Sequence, residues 1–206
     1  MLHAGLTGGI ASGKSTVAKM LRGLEIPLLE ADPIGHQLLE PGQEAREEVV
    51  REFGGGILGA DGAVDRDKLG AIVFADDEKR ARLNCILHPR ILATAQKWFE
   101  ALDRPGGPEL AVFSAALIFE SGFNKELDRV IVCWCSPEQQ LARLRERGLS
   151  ADEARRRIAA QMPPDEKRRI ADDVIDSSGS MKETEHQVRE VAARLKQLGS
   201  AGKKRP

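Results

Sequence analysis

Apolar residues along the chain gather into five short runs, with longer helix-patterned stretches between them. The runs occupy residues 2–7, 26–29, 110–113, 130–134 and 173–176. Most are continuous rather than alternating, which is typical of strands buried on both faces of a parallel sheet. The alternation of strand and helix therefore predicts a doubly wound α/β fold with a five-stranded parallel sheet. Its first helix is predicted to begin near Lys14 and to end at about Gly23.

Two stretches are too long to be ordinary crossovers between strands. Residues 42–102 are mostly helical in pattern and are interrupted by the turn signals Gly54-Gly55-Gly56 and Asp61-Gly62. Residues 143–169 follow the fourth strand and are rich in arginine. We therefore expect a single domain over residues 1–206, with a helical insertion at about 42–102 and a second insertion at about 143–169.

The charge balance argues against a nucleic-acid or membrane-surface partner. The chain has 31 basic and 32 acidic residues, for a formal net charge of -1, so no overall field attracts it to polyanions. It also lacks a basic, apolar leader and any apolar run of the ~20 residues that span a bilayer. Cys85, Cys133 and Cys135 form no CxxC pair, and we expect them to be reduced thiols. These observations predict a cytoplasmic protein.

The strongest motif lies directly after the first apolar run. Residues 8–15 read Gly-Gly-Ile-Ala-Ser-Gly-Lys-Ser, which matches the phosphate-binding pattern G-x-x-x-x-G-K-[ST] in full. Glycines at both ends let the backbone wrap a polyphosphate, and successive N–H groups and the next helix N-terminus attract its charge. Lys14 is suited to the β- and γ-phosphates, and the Ser15 hydroxyl is suited to Mg²⁺. The predicted ATP-binding residues are Gly9, Ile10, Ala11, Ser12, Gly13, Lys14, Ser15 and Thr16.

This motif alone does not separate kinases from GTPases or ATP-driven machines. The chain has no Asn-Lys-x-Asp segment, with which GTPases read their base. The third strand ends at Ser114, a place where motor ATPases usually carry an acidic Mg²⁺ ligand. Because Mg²⁺ keeps part of its water shell, it can be held by Ser15, the ATP phosphates and water. These features favour a small-molecule kinase.

The arginine-rich stretch has two interpretations. Arg143 and Arg147 lie four residues apart, so they project from one face of a helix. A mobile lid with such a face could close over ATP, exclude water and stabilise the moving phosphoryl group. Alternatively, the stretch is a solvated charged helix, because nearby acidic residues such as Glu153 and Asp165 could pair its arginines.

Asp32 also has two interpretations. It follows the second strand, at the carboxyl edge where open α/β sheets bind their ligands, so it could accept the proton of an attacking hydroxyl. Asp32-Pro33 before a helical pattern could equally be a helix start, with Asp32 as the N-cap. The spacing does not decide between them.

Several segments, in this order along the chain, resemble the dephospho-coenzyme A kinase family. They are Leu6 through Thr16, Glu30-Ala31-Asp32, Glu40-Pro41-Gly42, Asp61-Gly62 through Asp65-Arg66, Leu83-Asn84 with His88-Pro89, Leu117 through Glu120, Gln161-Met162, and Ala171 through Asp176. The resemblance covers nearly the whole chain. The chain departs from the family's usual residues at Glu30, Ser114, Ala116 and Ser177, where aspartate, aspartate, proline and asparagine are common.

The resemblance implies an activity and a set of roles. The activity is ATP- and Mg²⁺-dependent phosphorylation of the ribose 3′-hydroxyl of dephospho-coenzyme A, the last step of coenzyme A synthesis. Asp32 would be the general base, Lys14, Arg143 and Arg147 would act on the phosphates, and residues 42–102 would bind the coenzyme with Arg66 and His88. His88 could instead cap a helix, since Pro89 favours a helix boundary there. We expect a monomer or a weak homo-oligomer.

Two rival functions remain on the sequence alone. Another small-molecule kinase would share the phosphate loop but not the helical insertion with His88-Pro89. A nucleotide-binding regulator would have no use for Asp32 or for an arginine-rich lid.

Overall fold

The computed structural model describes residues 1–202, so residues 203–206 of the predicted domain lie outside the described part. The chain divides into two compact units. The first unit joins Met1–Leu29 to the chain from Lys97 onward, and the second unit is Glu30–Gln96.

The sheet confirms the predicted architecture. It has five strands in the order β2-β3-β1-β4-β5. β1 pairs in parallel with β3 and β4, and β4 pairs in parallel with β5. The strands are β1 Leu2–Gly8, β2 Leu28–Glu30, β3 Leu110–Ser114, β4 Arg129–Trp134 and β5 Asp173–Asp176. Because the order reverses direction on either side of β1, the carboxyl end of β1 is the switch point where such folds bind ligands.

Helices connect these strands. They are α1 Lys14–Gly23, α2 Ala31–Leu38, α3 Glu44–Phe53, α4 Arg66–Ala75, α5 Asp77–Leu102, α6 Pro137–Glu146, α7 Ala151–Ala159, α8 Pro164–Ile170 and α9 Met181–Ser200. The predicted first helix, from Lys14 to Gly23, is confirmed. Serine N-caps start three later helices. Ser136 begins α6, Ser150 begins α7 and Ser180 begins α9, each accepting a backbone N–H of the first turn.

The core of the first unit lies between the sheet and two helices. Leu2, Ala4 and Leu6 of β1 face Val17 and Leu21 of α1, and α9 adds Val188, Val191 and Leu195. The opposite face of β1 is also covered: a Cβ atom on Gly5 would come within 3 Å of Ile118 and Leu127. β3 is buried along its whole length. Burial on both faces explains why the strands are continuous apolar runs.

The second unit has its own helical core, formed by α3, α4 and α5. Val49, Ile57, Leu69 and Val73 are buried at its centre, and Leu83, Ile86 and Leu87 of α5 pack against them. Asp65 is the N-cap of α4 and accepts the N–H groups of Asp67 and Lys68. This unit overlaps the predicted insertion at 42–102, but it begins at Glu30 and ends at Gln96. The coenzyme-binding role of the insertion stays a prediction.

The expected helix boundary at Pro89 is wrong, because α5 runs through this proline. Proline removes one backbone hydrogen bond and clashes with the preceding turn. Ile86 and Leu87, directly before it, are packed in the core of the second unit. That packing holds the helical path against the local preference. Among the described residues, no helix is long and apolar enough to cross a membrane.

Leu195 provides a test of this packing, because it is fully buried between α9 and the rest of the core. Leu195→Ala should lower the free energy of unfolding by ~2–5 kcal/mol, through lost transfer energy and the remaining cavity. Gln197→Ala, at an exposed position of the same helix, should change it by less than about 0.5 kcal/mol. Urea unfolding of both variants measures the difference, and equal effects would contradict the assigned core face of α9.

Candidate active site

The phosphate-binding loop spans Gly9–Gly13, between β1 and α1. Gly13 has φ 89° and Ala11 has φ 58°, so two residues adopt left-handed conformations. Such a conformation is costly for alanine and is typical of functional loops. Gly8 must lack a side chain for a different reason, since a Cβ there would lie 2.5 Å from the Cys133 carbonyl oxygen. The end of β1 is therefore tightly packed against β4.

The outer side of the loop is held by donors from three other elements. The Ser12 carbonyl accepts hydrogen bonds from Cys133 Sγ at 2.9 Å and from Ser177 Oγ at 2.6 Å. The Ala11 carbonyl accepts one from Arg143 Nη1 at 3.1 Å. In a planar trans peptide the N–H points opposite to the carbonyl. Holding the Ser12 carbonyl outward therefore turns the Gly13 N–H toward the inside of the loop.

Cys133 can act as a donor because its thiol stays protonated. Burial raises the pKa of Cys133 to about 12, so the thiolate is not formed near neutral pH. Burial also raises the pKa of Cys135. Cys133 and Cys135 are buried, whereas Cys85 is exposed and is not a core residue.

The two arginines predicted on one lid face have different environments. Arg143 is half-buried, and in addition to Ala11 its guanidinium donates to the Ser177 carbonyl oxygen at 2.7 Å. The structure thus brings Arg143 to the phosphate loop. Arg147 is the exposed C-cap of α6 and makes no side-chain hydrogen bond or ion pair within residues 1–202. Their catalytic roles stay predictions.

Lys14 and Ser15 begin α1 at the mouth of the loop. Lys14 Nζ donates to Ser114 Oγ at 3.2 Å. It forms no ion pair with the described residues, because the end of β3 offers a hydroxyl rather than a carboxylate. The Ser15 side chain is exposed. The described residues contain no cluster of three histidine, cysteine or carboxylate side chains that could hold a metal.

A second lysine lies near this site. Lys167 of α8 is fully buried, and its ammonium donates to the Ala116 carbonyl oxygen at 2.7 Å and pairs with Glu120 Oε1 at 2.9 Å. Burial lowers the pKa of Lys167, the hydrogen bond and charge of Glu120 raise it, and the nearby Lys14 lowers it again. Glu120 pairs with Lys167, whereas Lys14 has only the Ser114 hydroxyl, so the charge of Lys14 is left for a polyphosphate.

Two glutamines approach the loop near Gly9 and Ile10. Gln161 Oε1 accepts the Ile10 N–H at 2.8 Å. Gln140 is fully buried, and a Cβ on Gly9 would lie 2.2 Å from its Nε2. Neither amide atom of Gln140 has a hydrogen-bond partner among the described residues. A side chain at position 9 would therefore have to displace the Gln140 amide, while the φ of Gly9 is not left-handed.

Asp32 lies in the second unit, as the second residue of α2. The N-cap of this helix is Glu30, which makes no side-chain cap hydrogen bond, so the interpretation of Asp32 as the N-cap is wrong. The Asp32 side chain is exposed and has no hydrogen bond or ion pair with any described residue. Its carboxylate is thus available as an acceptor. The role of general base stays a prediction.

The two other predicted substrate residues also belong to the second unit. His88 is half-buried in the interior of α5, so it is not a cap residue of that helix. Arg66 is the exposed first residue of α4, directly after the capping residue Asp65. Their contribution to coenzyme binding stays a prediction.

Sequence reasoning missed the roles of Cys133, Ser177, Gln140 and Lys167. Cys133 lies in an apolar strand and looks like a core residue, and Lys167 lies among exposed basic residues. One signal was present: Glu120, Gln161 and Ser177 fall within or beside segments that resemble the family pattern, whereas Lys167 does not. Nothing in that signal indicated which atoms they contact.

Comparison with known proteins gives a consistent result. The family model described as dephospho-CoA kinase matches residues 2–183. The dephospho-CoA kinase of Geobacillus kaustophilus is 45% identical over 188 residues, which cover 91% of this chain and 93% of that protein.

Solved structures agree with the sequence matches. The chain superposes on TT1252 from Thermus thermophilus with a TM-score of 0.77 at 33% identity, covering 94% of this chain and 97% of that one. It superposes on dephospho-CoA kinase from Campylobacter jejuni with a TM-score of 0.68 at 29% identity, covering 95% and 97%. The chain belongs to the dephospho-CoA kinase family.

Proposed function

We propose that this chain transfers the γ-phosphoryl group of ATP to the ribose 3′-hydroxyl of dephospho-coenzyme A. Family membership supports the choice of acceptor. The structural observation that carries the proposal is the phosphate loop, whose Lys14 has no ion pair among the described residues and whose outer carbonyls are held by other elements. This loop suits a polyphosphate, and its lysine is available for the transferred group.

ATP would lie along residues 9–16, with its phosphates surrounded by backbone N–H groups and the start of α1. Lys14 would stabilise charge on the β- and γ-phosphates. Phosphoryl transfer has a loose transition state with charge on the equatorial oxygens, so positioning and electrostatics supply most of the catalysis.

Mg²⁺ fits the donors present, although they provide no carboxylate cluster. The exposed Ser15 hydroxyl would be the protein ligand, and phosphate oxygens and water would complete the shell that Mg²⁺ prefers. Bound there, the ion would neutralise phosphate charge.

Asp32 would accept the proton of the attacking ribose hydroxyl. Its exposed carboxylate has no protein partner among the described residues, which suits a general base better than a structural residue. Arg66 and His88 would contribute to coenzyme binding on the second unit. Arg147, exposed at the end of α6, would approach ATP as part of a lid at residues 143–169.

We also propose a cytoplasmic monomer or weak homo-oligomer. The three free thiols, two of them buried, agree with a reducing compartment.

An assay of ADP release decides the acceptor. Dephospho-coenzyme A should be phosphorylated far faster than a panel of nucleosides, nucleoside monophosphates and sugar alcohols. Lys14→Ala should lower turnover by at least about 10²-fold, the cost of removing one preorganised electrostatic contact. Lys19→Ala, at an exposed position of the same helix, is the matched control and should retain activity. Preference for another acceptor would indicate a different kinase, and ATP binding without any turnover would indicate a regulator.

Asp32→Asn should lower turnover by ~10²–10⁴-fold, because it removes the proton acceptor. The melting temperature and ATP affinity should stay unchanged, since the side chain has no partner to lose. Glu44→Gln is the matched control, as Glu44 is another exposed carboxylate in the first turn of a helix of the same unit. Retention of more than about a third of wild-type turnover by Asp32→Asn would show that no general base is lost there.

Arg143→Ala and Arg147→Ala should have different kinetic effects. Arg143 donates to the Ala11 carbonyl of the loop and to the Ser177 carbonyl, so its loss should weaken ATP binding and lower kcat. Arg147 has no such contact in this structure. Because it would approach ATP only when the lid closes, its loss should lower kcat with little change in KM. Arg145→Ala, exposed between them, is the control. Wild-type kinetics in Arg147→Ala would exclude that residue from the lid's catalytic face.

A further inference from the structure

Lys167 is the feature that the proposed function leaves unused. It is a fully buried lysine on α8, a helix whose other basic residues, Arg168 and Arg169, are exposed. Burying an ammonium group is costly unless its partners are well placed. Its two acceptors are the Ala116 carbonyl oxygen and Glu120 Oε1. Such a residue needs an explanation beyond a solvated charged helix.

Glu120 connects Lys167 to the turn between α7 and α8. The same carboxylate oxygen that pairs with Lys167 also accepts the Met162 N–H at 3.0 Å. The Glu120 side chain is 24% exposed, so without its ammonium partner the carboxylate would be free to turn toward water. Lys167 therefore keeps Glu120 in the position that holds Met162.

The next residue in the chain carries the contact to the phosphate loop. Gln161 precedes Met162, and its Oε1 accepts the Ile10 N–H at 2.8 Å. The contacts thus run from Lys167 through Glu120 and Met162 to Gln161 and Ile10, all within the first unit. Each step is a direct hydrogen bond or a neighbouring residue, so a displacement at Lys167 has a continuous physical route to the loop.

The Ala116 contact acts on the other side of the site. The Ala116 carbonyl also accepts the Thr7 hydroxyl at 3.0 Å, and Thr7 lies in β1, two residues before the loop. Lys167 thereby holds the segment that follows Ser114, the acceptor of Lys14. The buried Lys167 ammonium also adds positive charge close to Lys14. The two groups are near enough that the charge of Lys14 lowers the pKa of Lys167.

We propose that Lys167 is a positioning residue for ATP: through Glu120 it holds the turn whose Gln161 side chain fixes Ile10 in the phosphate-binding loop. The inference rests on the proposed function only in that ATP binds at this loop. The positioning role of Lys167 differs from a purely structural role, because removing Lys167 should weaken nucleotide binding in molecules that remain folded.

The test measures the affinity of the whole chain for MgADP by calorimetry, which needs no phosphoryl acceptor. Lys167→Met should weaken binding about tenfold, a coupling of the size seen between residues in one hydrogen-bond network. Gln161→Ala should weaken it similarly, and combining the two should add less than about twofold, because both interrupt the same route. The matched control is Arg169→Met, an exposed position on the same helix, which should bind like wild type.

Lys167→Met leaves a carboxylate without its partner and could fail to fold. Lys167→Met combined with Glu120→Leu removes both charges and avoids that cost, yet it also loses the Met162 contact. This variant should fold, as measured by its thermal melting, and should show the same loss of MgADP affinity. Wild-type affinity in a folded variant, or fully additive effects of Lys167→Met and Gln161→Ala, would overturn the proposal.

The outcome is separate from that of the proposed function. If wild type binds MgADP but does not phosphorylate dephospho-coenzyme A, the proposed acceptor is wrong while the affinity measurements still decide the role of Lys167. In steady state, Lys167→Met should raise KM for ATP about as much as it weakens MgADP binding, and should leave KM for the acceptor within about twofold.

Discussion

The hydrogen bonds to the Ser12 carbonyl are the constraint on which the site depends. A phosphate-binding loop works only if its N–H groups point inward, and each inward N–H requires that the carbonyl of the same peptide points outward. An outward carbonyl in a packed interior needs a donor. Cys133 from β4 and Ser177 after β5 supply two donors to this one oxygen. The parallel sheet matters because it brings these strand ends to one edge beside β1.

The departures at Ser114 and Ser177 have a physical meaning in this arrangement. Ser177 Oγ reaches the Ser12 carbonyl and also the Trp134 carbonyl at 3.1 Å, so a short hydroxyl serves as a brace for the loop. Ser114 gives Lys14 a neutral acceptor, which leaves the lysine charge uncompensated by protein. Glu120 is then the carboxylate that offsets part of the positive charge, and it does so at Lys167.

The arginine-rich segment does not act as one unit. The interpretation as a solvated charged helix applies to part of it, and the lid stays a prediction. Arg155 and Arg157 pair with Asp152 and Glu153 of their own helix, which fits a solvated charged surface. Such exposed pairs contribute only ~0.2–1 kcal/mol each. Arg143 instead contacts main-chain oxygens at the phosphate loop. Position relative to the loop, rather than residue type, separates the two groups.

The sequence by itself determined the strands, the first helix and the phosphate loop. Continuous apolar runs occur only where both faces of a strand are covered, and the glycines of the loop are required by local backbone geometry and close packing.

Local sequence rules gave the wrong helix boundary at Pro89 and the wrong N-cap at Asp32. Packing of Ile86 and Leu87 carries α5 through the proline, and α2 begins one residue before Asp32. Only the tertiary structure showed which atoms Cys133, Ser177, Arg143 and Lys167 contact at and near the loop. Their contacts join residues more than fifty positions apart, and such pairings depend on strand order and helix packing, which no local pattern encodes.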